Sequence, residues 1–243
     1  MNRPILLVAA IVAGCINAAG ADDIAAGARA ERPQLYERFP EAFADVADEP
    51  ARPRILLVGD SISIGYTPPV RELLRGVANV HRIPDNGGPT TRGLAMLDEW
   101  LGDGRWDVIH FNFGLHDVAR VNDGKTRTTP ADYDKNLRAI VARLKKTGAR
   151  LVCATTTPVP DAGDLHPPRR NSDVVVCNEI AHKVMAELGV PVDDLYTFAL
   201  PRLPEIQLPA NVHYTPAGYR ALAEPVAASI RDQLAAPPAP PYH

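Results

Sequence analysis

The stretch Leu56–Tyr66, "LLVGDSISIGY", is the one from which the fold of this chain is best inferred. The apolar run Ile55–Val58 has the length and composition of a buried strand, and it leads directly into Gly59-Asp60-Ser61. In an open parallel sheet, ligands bind beyond the carboxyl ends of the strands. Ser61 therefore stands where a sheet of this kind carries its chemistry.

From residue 54 onward, apolar runs of strand length alternate with amphipathic stretches of helical length. This alternation predicts an α/β fold in which a parallel sheet has helices on both faces. The predicted strands are Ile55–Val58, Val80–Ile83, Val108–Phe113, Leu151–Thr156 and Val190–Val192.

Three Thr-Pro pairs predict helix starts, with threonine as the N-cap and proline at the first helical position, where its missing N–H costs nothing. They are Thr67-Pro68, Thr129-Pro130 and Thr215-Pro216.

Residues 1–21 have the layout of a secretory signal peptide, with a cation at Arg3, an apolar run and then small residues. Ala19-Gly20-Ala21 fits the cleavage pattern of a soluble exported protein. The alternative is Val12-Ala13-Gly14-Cys15, which resembles a bacterial lipoprotein signal and would place a lipid on Cys15. The apolar run is too short for a membrane span, and both alternatives predict export.

The rest of the chain divides into three parts. Residues 22–53 are rich in Ala, Glu and Pro without a sustained apolar face, which predicts a lead-in that packs on the domain surface or is partly mobile. Residues 54–234 form the domain. Residues 235–243 are a Pro-rich tail with too little apolar surface to order itself.

Composition narrows the class of function. A chain of 243 residues with 46% hydrophobic content suits one α/β domain. The net charge of −3, with acids and bases interspersed, argues against nucleic acid or an anionic membrane surface as a partner. Cys153 and Cys177 would form a disulfide in an exported protein or lie as two buried thiols. No Cys or His spacing predicts a metal site, and we expect no cofactor.

Polar clusters also follow the second and third predicted strands. They are "DNGGPTT" at Asp85–Thr91 and "FNFGLHD" at Phe111–Asp117, and His213 stands two residues before the Thr215 cap. Four stretches of the chain resemble, in order, the blocks of the SGNH, or GDSL-type, hydrolases. They are Gly59–Ser63, Asn86-Gly87-Gly88, Gly114–Asp117 and Asn211–Tyr219. The "GLHD" variant is similar to the acetylesterase-like branch. The resemblance covers about residues 54–234 and implies a flavodoxin-like, five-stranded sheet and ester hydrolysis through an acyl-enzyme.

The resemblance also implies roles for particular residues. Ser61 matches the nucleophile and His213 the general base. The backbone N–H groups of Ser61 and Gly88 and the side chain of His116 match the oxyanion hole. The residues expected to touch substrate are Asn86 in the glycine loop, and Arg169 and Arg170 in the long Pro-rich loop Thr155–Asp173.

Two positions depart from the family pattern. His116 replaces the usual asparagine, and a neutral imidazole can still donate one N–H, with a pH dependence of its own. Ala210 replaces the aspartate that orients the base. The Nδ1–H of His213 must then find another acceptor, for which the candidates are a backbone carbonyl, Asn211 or Asp194. We favour a Ser-His dyad held by a carbonyl, and expect activity to fall below roughly pH 6.5 as His213 is protonated.

The sequence thus predicts an exported serine esterase that removes small acyl groups, most plausibly acetyl from a small-molecule or carbohydrate ester. Three alternatives stay open. They are a lipase or thioesterase on the same fold, an acyltransferase, and a non-catalytic carbohydrate-binding protein.

Overall fold

The computed structural model describes residues 18–121, 124–160 and 165–237. The predicted lipid-bearing Cys15, the signal sequence up to residue 17 and the last six residues of the tail lie outside the described residues. Within the described ranges, no helix is both long enough and apolar enough to cross a bilayer.

A parallel sheet of five strands forms the centre of the molecule, which confirms the predicted fold class. Its strand order is β2-β1-β3-β6-β7, and β4 and β5 form a separate antiparallel hairpin. The strands are β1 Arg54–Val58, β2 Asn79–Arg82, β3 Val108–Phe111, β4 Arg120–Val121, β5 Lys125–Thr126, β6 Arg150–Ala154 and β7 Val192–Asp193. Val58 pairs with Phe111, so the two central strands end at the same level.

Two predicted strands were longer than the observed ones and two were displaced from them, β2 by a single residue. β3 ends at Phe111 and β6 ends at Ala154, and beyond these points side chains take the place of strand partners. The Asn112 amide donates to the Ala154 carbonyl. The Asn178 side-chain oxygen accepts from the N–H of Thr156. The predicted strand Val190–Val192 is shifted to Val192–Asp193, where only two residues pair with β6.

Helices cover both faces of the sheet. α3 packs on α9 on one face, and α1, α4, α5 and α6 adjoin one another on the other. The helices are α1 Ala18–Arg38, α2 Pro40–Phe43, α3 Ser61–Leu73, α4 Thr90–Leu101, α5 Pro130–Lys145, α6 Asn171–Leu188, α7 Leu195–Ala199, α8 Leu203–Ile206 and α9 Pro216–Ala235.

Two of the three predicted helix starts are confirmed. The Thr129 hydroxyl accepts from the N–H of Asp132, and the Thr215 hydroxyl accepts from that of Gly218. The prediction for Thr67 is wrong, because α3 already begins at Ser61 with Asp60 as its N-cap. Thr67 is buried inside this helix and donates its hydroxyl to the Ser63 carbonyl. Burial of Ile62, Ile64, Tyr66 and Val70 holds the helix together through the two prolines that follow Thr67.

Cys153 and Cys177 are free, buried thiols rather than a disulfide. Burial raises the pKa of Cys153 to about 12, and that of Cys177 also lies above its ordinary value, so neither is a ready nucleophile.

The lead-in is more ordered than its composition predicts, because its residues 22–38 continue the helix α1. α1 packs on α4 through ion pairs rather than an apolar stripe. Arg32 donates to both carboxylate oxygens of the fully buried Asp85, at 2.6 and 2.9 Å, and the Trp100 indole N–H also donates to Asp85. This carboxylate stands next to the glycine loop at Asn86, so the lead-in fixes the base of that loop.

We predict that Arg32→Ala lowers the free energy of unfolding by about 3 kcal/mol, because it leaves the Asp85 carboxylate buried without its cation. The matched control is Arg29→Ala. Arg29 also pairs with α4, through Glu99, but its side chain is 54% exposed, against 24% for Arg32. Its loss should cost less than about 1 kcal/mol. Urea denaturation of both variants makes the comparison, and equal losses would contradict the role given to Asp85.

Candidate active site

Ser61 is the first residue of α3 and follows the end of β1 after only two residues. Asp60 shapes this turn, since its carboxylate accepts from the N–H of Ile62 at 2.9 Å. Within the described residues the N–H of Ser61 has no acceptor. An N–H at the start of a helix points outward and carries the positive end of the helix dipole, so Ser61 presents both a hydroxyl and an anion-binding donor.

His213 is held in the turn that precedes α9. Its carbonyl accepts from the N–H of Leu208, and the next residue, Tyr214, forms a β-bridge with Gln207. The Thr215 cap then starts the helix. This arrangement places the His213 Nε2 atom 2.9 Å from the Ser61 Oγ atom. The structure therefore brings together the two residues that the sequence predicts as base and nucleophile.

Asn211 is the acceptor for the other nitrogen of His213. Its Oδ1 atom lies 2.8 Å from His213 Nδ1 and also accepts from the backbone N–H of His213 at 3.0 Å. Because the backbone N–H can only donate, the amide atom facing it must be the oxygen. Nδ1 must then carry the proton, which leaves Nε2 as the acceptor for the Ser61 hydroxyl.

The favoured alternative of a backbone carbonyl is therefore wrong, and so is Asp194. Asp194 caps α7, where its Oδ1 atom accepts from the N–H of Thr197 and the hydroxyl of Thr155, both at 3.1 Å. Ala210, at the position of the missing aspartate, has φ = 51°. Among the described residues it is the only one other than glycine with positive φ, so this turn is strained just before the orienting amide.

The pKa of His213 lies below its ordinary value of 6.5 because the ring is partly buried. The Asp60 carboxylate opposes this shift, and the guanidinium groups of Arg38 and Arg169 add to it. An amide orienter gives no charge to stabilise imidazolium, so nothing at Nδ1 offsets the burial. His213 is thus an unprotonated base at neutral pH.

The glycine loop is held tightly against the Ser61 turn. The N–H of Gly87 donates to the Gly59 carbonyl at 2.9 Å, and a Cβ atom on Gly87 would lie 2.9 Å from that carbonyl group. Gly88 has φ = 62°, and its N–H donates to Asn86 Oδ1 at 3.1 Å. Asn86 therefore shapes the loop instead of standing free for substrate as the sequence suggested. An oxyanion would have to replace this weak internal bond at Gly88.

His116 lies in the loop after β3, on the other side of β1 from Gly88. Its imidazole makes no hydrogen bond within the described part of the chain. Burial, with added repulsion from Arg169, Arg127 and Arg92, lowers its pKa to about 3. His116 is therefore a neutral donor over the whole range in which the protein would work, and the expected pH dependence at this position is wrong.

Asp117 ties the His116 loop to the helix that follows the glycine loop. Its carboxylate accepts from the Thr90 hydroxyl at 2.6 Å and from the Thr90 N–H at 3.1 Å. Burial raises the pKa of Asp117 to about 6, although these hydrogen bonds oppose the shift. The two sides of the predicted oxyanion hole are therefore joined through one buried carboxylate.

The two candidate arginines differ in position. Arg169 is half-buried, donates to the carbonyls of Leu115 and Pro167 at 2.8 and 3.0 Å, and lowers the pKa of both His116 and His213. Its guanidinium thus lies within electrostatic reach of both histidines. Arg170 is exposed at the start of α6, and no side-chain hydrogen bond joins it to the described residues of the site.

Sequence reasoning missed Arg82, a buried arginine at the end of β2. It donates to the carbonyls of Ile83 and Asp85, at 2.6 and 3.0 Å, and lies 3.4 Å from that of Gly59. It thereby joins the glycine loop to the turn before Ser61. The available signal was a charged residue at the end of an otherwise buried strand, since buried arginines are rare without a partner.

Comparisons with known proteins give the family and the fold of this chain. Residues 57–221 match the model of the GDSL-like lipase/acylhydrolase family. The crystal structure of an acetyl xylan esterase is 18% identical, with a TM-score of 0.63 over 73% of this chain and 99% of that one. A lipase/acylhydrolase from Enterococcus faecalis is 21% identical, with a TM-score of 0.63 over 77% and 99%. A mutant acetyl-xylooligosaccharide esterase from Geobacillus Stearmophilus is 19% identical, with a TM-score of 0.58 over 73% and 94%. A search of curated protein sequences gives no match.

We predict that Asn211→Ala lowers kcat/KM for p-nitrophenyl acetate by about 10²-fold to 10⁴-fold, because the imidazole loses its orientation and tautomer. Asn211→Asp should stay active and move the acid limb of the pH profile upward, since a carboxylate raises the pKa of His213. Asp194→Asn, which changes the other candidate orienter, serves as the control and should behave as the unaltered protein. Equal activity of Asn211→Ala and this control would contradict the assignment.

The role of His116 is tested by two substitutions. His116→Asn keeps an N–H donor and should retain substantial activity, whereas His116→Ala should lose about 10²-fold or more. Because only unprotonated His213 is a base and its pKa is lowered, activity should persist below pH 6.5 and fall as the pH drops through that pKa. The midpoint should be the same in His116→Asn, since His116 does not titrate there. A displaced midpoint, or full activity of His116→Ala, would refute the role.

Proposed function

The chain belongs to the GDSL-like lipase/acylhydrolase family and is a serine ester hydrolase, and we propose that it removes small acyl groups, chiefly acetyl, from carbohydrate esters outside the cytoplasm. The observation that carries the proposal is the Ser61 Oγ to His213 Nε2 contact of 2.9 Å, with Nδ1 held by Asn211. A serine hydroxyl needs such a base to attack an ester carbonyl.

In the proposed reaction, the Ser61 oxygen attacks the ester carbonyl carbon while its proton moves to His213 Nε2. The negative charge on the carbonyl oxygen is met by the N–H groups of Ser61 and Gly88 and by neutral His116. Collapse of this intermediate breaks the bond to the alcohol oxygen, which takes the proton from His213. Water then attacks the carbonyl carbon of the acyl-Ser61 ester while one of its protons moves to His213 Nε2. Collapse of this second intermediate breaks the bond to the Ser61 oxygen, which takes the proton from His213, and the acid is released.

The missing aspartate at Ala210 would favour a non-catalytic protein if no other group oriented His213, but Asn211 orients it. An amide oxygen can hold an imidazole in the correct tautomer, as in the Cys-His-Asn arrangement of papain-like proteases. Such an amide orients the imidazole as a carboxylate does, but it does not stabilise the positive charge of the imidazolium.

The short acyl group is supported by two esterases of the same fold whose names both refer to an acetylated substrate. The carbohydrate alcohol is supported by the fold shared with two esterases whose names refer to acetylated xylan or xylooligosaccharide.

A preference for longer acyl chains is the second candidate, and one cavity favours it. A space of about 160 Å³ lies behind Asp117 and is lined mainly by apolar side chains, among them Val118, Tyr133 and Ile180. Neither Ser61 nor His213 borders it, so we keep the longer acyl chain as the second candidate. Export rests on the signal-like sequence of residues 1–21, with Cys15 as an alternative lipid anchor.

The test is hydrolysis of p-nitrophenyl acetate, butyrate and octanoate by the purified protein beside Ser61→Ala. We expect kcat/KM to fall as the acyl chain lengthens and turnover to disappear in the variant, whose fold is checked by circular dichroism. A higher kcat/KM for octanoate would favour the lipase alternative. Turnover that survived in Ser61→Ala would refute Ser61 as the nucleophile.

A further inference from the structure

A groove of about 440 Å³ runs along α3 and begins about one turn after Ser61, and neither Ser61 nor His213 lines it. Ile64, Gly65 and Pro68 line it, and they follow Ser61 by three, four and seven residues. Residues at these spacings share one face of a helix. The groove therefore continues the face of α3 on which Ser61 lies.

The other two walls come from α9 and from the lead-in. Pro216 and Tyr219 line the groove three and six residues after His213, and the segment from Arg38 to Ala42 closes it. The family match begins only at residue 57, so the lead-in wall is not part of the matched domain. The volume falls within the range of about 300–1,000 Å³ that is usual for small-molecule sites.

The position of the groove decides which half of an ester it can hold. The carbonyl oxygen points to the oxyanion donors, and Gly88 immediately precedes α4 on the opposite face of the sheet. The leaving oxygen must instead lie next to His213 Nε2, which protonates it. The alcohol half of the ester therefore leaves the reaction centre on the α3 and α9 side, where the groove begins.

The surface of the groove suits a sugar ring. The aromatic rings of Phe39 and Tyr219 and the rings of several prolines offer apolar surfaces to the faces of a pyranose. Pro68 and Pro69 have no N–H, so the carbonyls of Ile64 and Gly65 lose their normal helical donors. These carbonyls are acceptors for hydroxyl groups of a ligand.

The groove also carries an excess of positive charge. Arg38 and Arg220 border it, and neither guanidinium forms a hydrogen bond or ion pair within the described ranges. Arg38 lies over the Phe39 ring at 5.1 Å, which leaves its N–H groups free. Its positive charge lowers the pKa of both His213 and Tyr219. Glu41 is the one carboxylate of the lining.

We propose that this groove binds the alcohol half of the ester and that the alcohol is a sugar ring bearing a carboxylate, as in a uronic acid. The inference deepens the proposed function and rests on it for the direction of the ester. Arg38 and Arg220 bind the carboxylate, and Phe39 and Tyr219 pack on the ring. The lead-in thus gives the enzyme its preference among acetylated sugars.

A binding experiment tests the groove without turnover. The probes are the acetylated methyl glycoside of glucuronic acid and that of glucose, which differ only in a carboxylate against a hydroxymethyl group. Calorimetry with Ser61→Ala should show about tenfold tighter binding, or more, of the uronide. The double variant Arg38→Gln with Arg220→Gln should lose this preference. Arg75→Gln, an exposed arginine at the far end of α3, is the matched control and should keep it.

Equal affinity for the two sugars, or a preference that survives the double variant, would overturn the proposal. The outcome is separate from that of the proposed function. Selective binding of the uronide by a protein that hydrolyses no ester would uphold the groove and refute the esterase. Hydrolysis of p-nitrophenyl acetate with equal binding of the two sugars would do the opposite.

In the active protein, the loss caused by the double variant should be confined to acylation, because the alcohol has left before water attacks the acyl-enzyme. The ratio of kcat/KM for the uronide to kcat/KM for the glucoside should therefore fall about tenfold. An equal fall for both sugars would count against carboxylate recognition.

Discussion

The hydrogen bond between Ser61 and His213 joins positions 152 residues apart, and the rest of the site depends on it. Ser61 is fixed by the end of β1 and by the Asp60 cap, while His213 is fixed by the turn before α9. Packing of α3 on α9 holds these two helix starts side by side. The sheet, the helix caps and the core thus act together to hold one donor and one acceptor at 2.9 Å.

The base of this site is oriented by a neutral amide where a carboxylate is usual. Asn211 orients His213 without lending it a negative charge, and burial lowers the pKa of that base further. His116 likewise donates as a neutral imidazole. The consequence is a base that works at lower pH than an aspartate-paired histidine, at the expense of less stabilisation when it becomes imidazolium. The buried Asp85 and Asp117 serve the scaffold instead, where they fix the glycine loop and join it to the loop after β3.

Much of this could be predicted from sequence because the signals are local. The apolar run before Ser61 and the caps at Thr129 and Thr215 depend on residues close in the chain, and the fold class and two helix starts follow from them. The helix start predicted at Thr67 is wrong because the Asp60 cap already begins the same helix at Ser61.

The acceptor for His213 could not be chosen from the sequence. Both Asn211 and Asp194 carry a side-chain oxygen that can accept its Nδ1–H, and only the geometry of the turn before α9 shows that Asn211 does so. The role of the lead-in was hidden for a related reason: α1 attaches through ion pairs, so it lacks the apolar stripe by which a packed helix is recognised.

In the proposed mechanism, Ser61 carries the acyl group between two half-reactions. The most direct measurement is mass spectrometry of the protein after rapid acid quenching of its reaction with p-nitrophenyl acetate, followed by proteolysis. We expect one acetyl group on the peptide that contains Ser61 and none on that peptide in Ser61→Ala. An acetyl group on any other residue, or release of product with no acetyl group on Ser61 when deacylation is slowed at low pH, would contradict this mechanism.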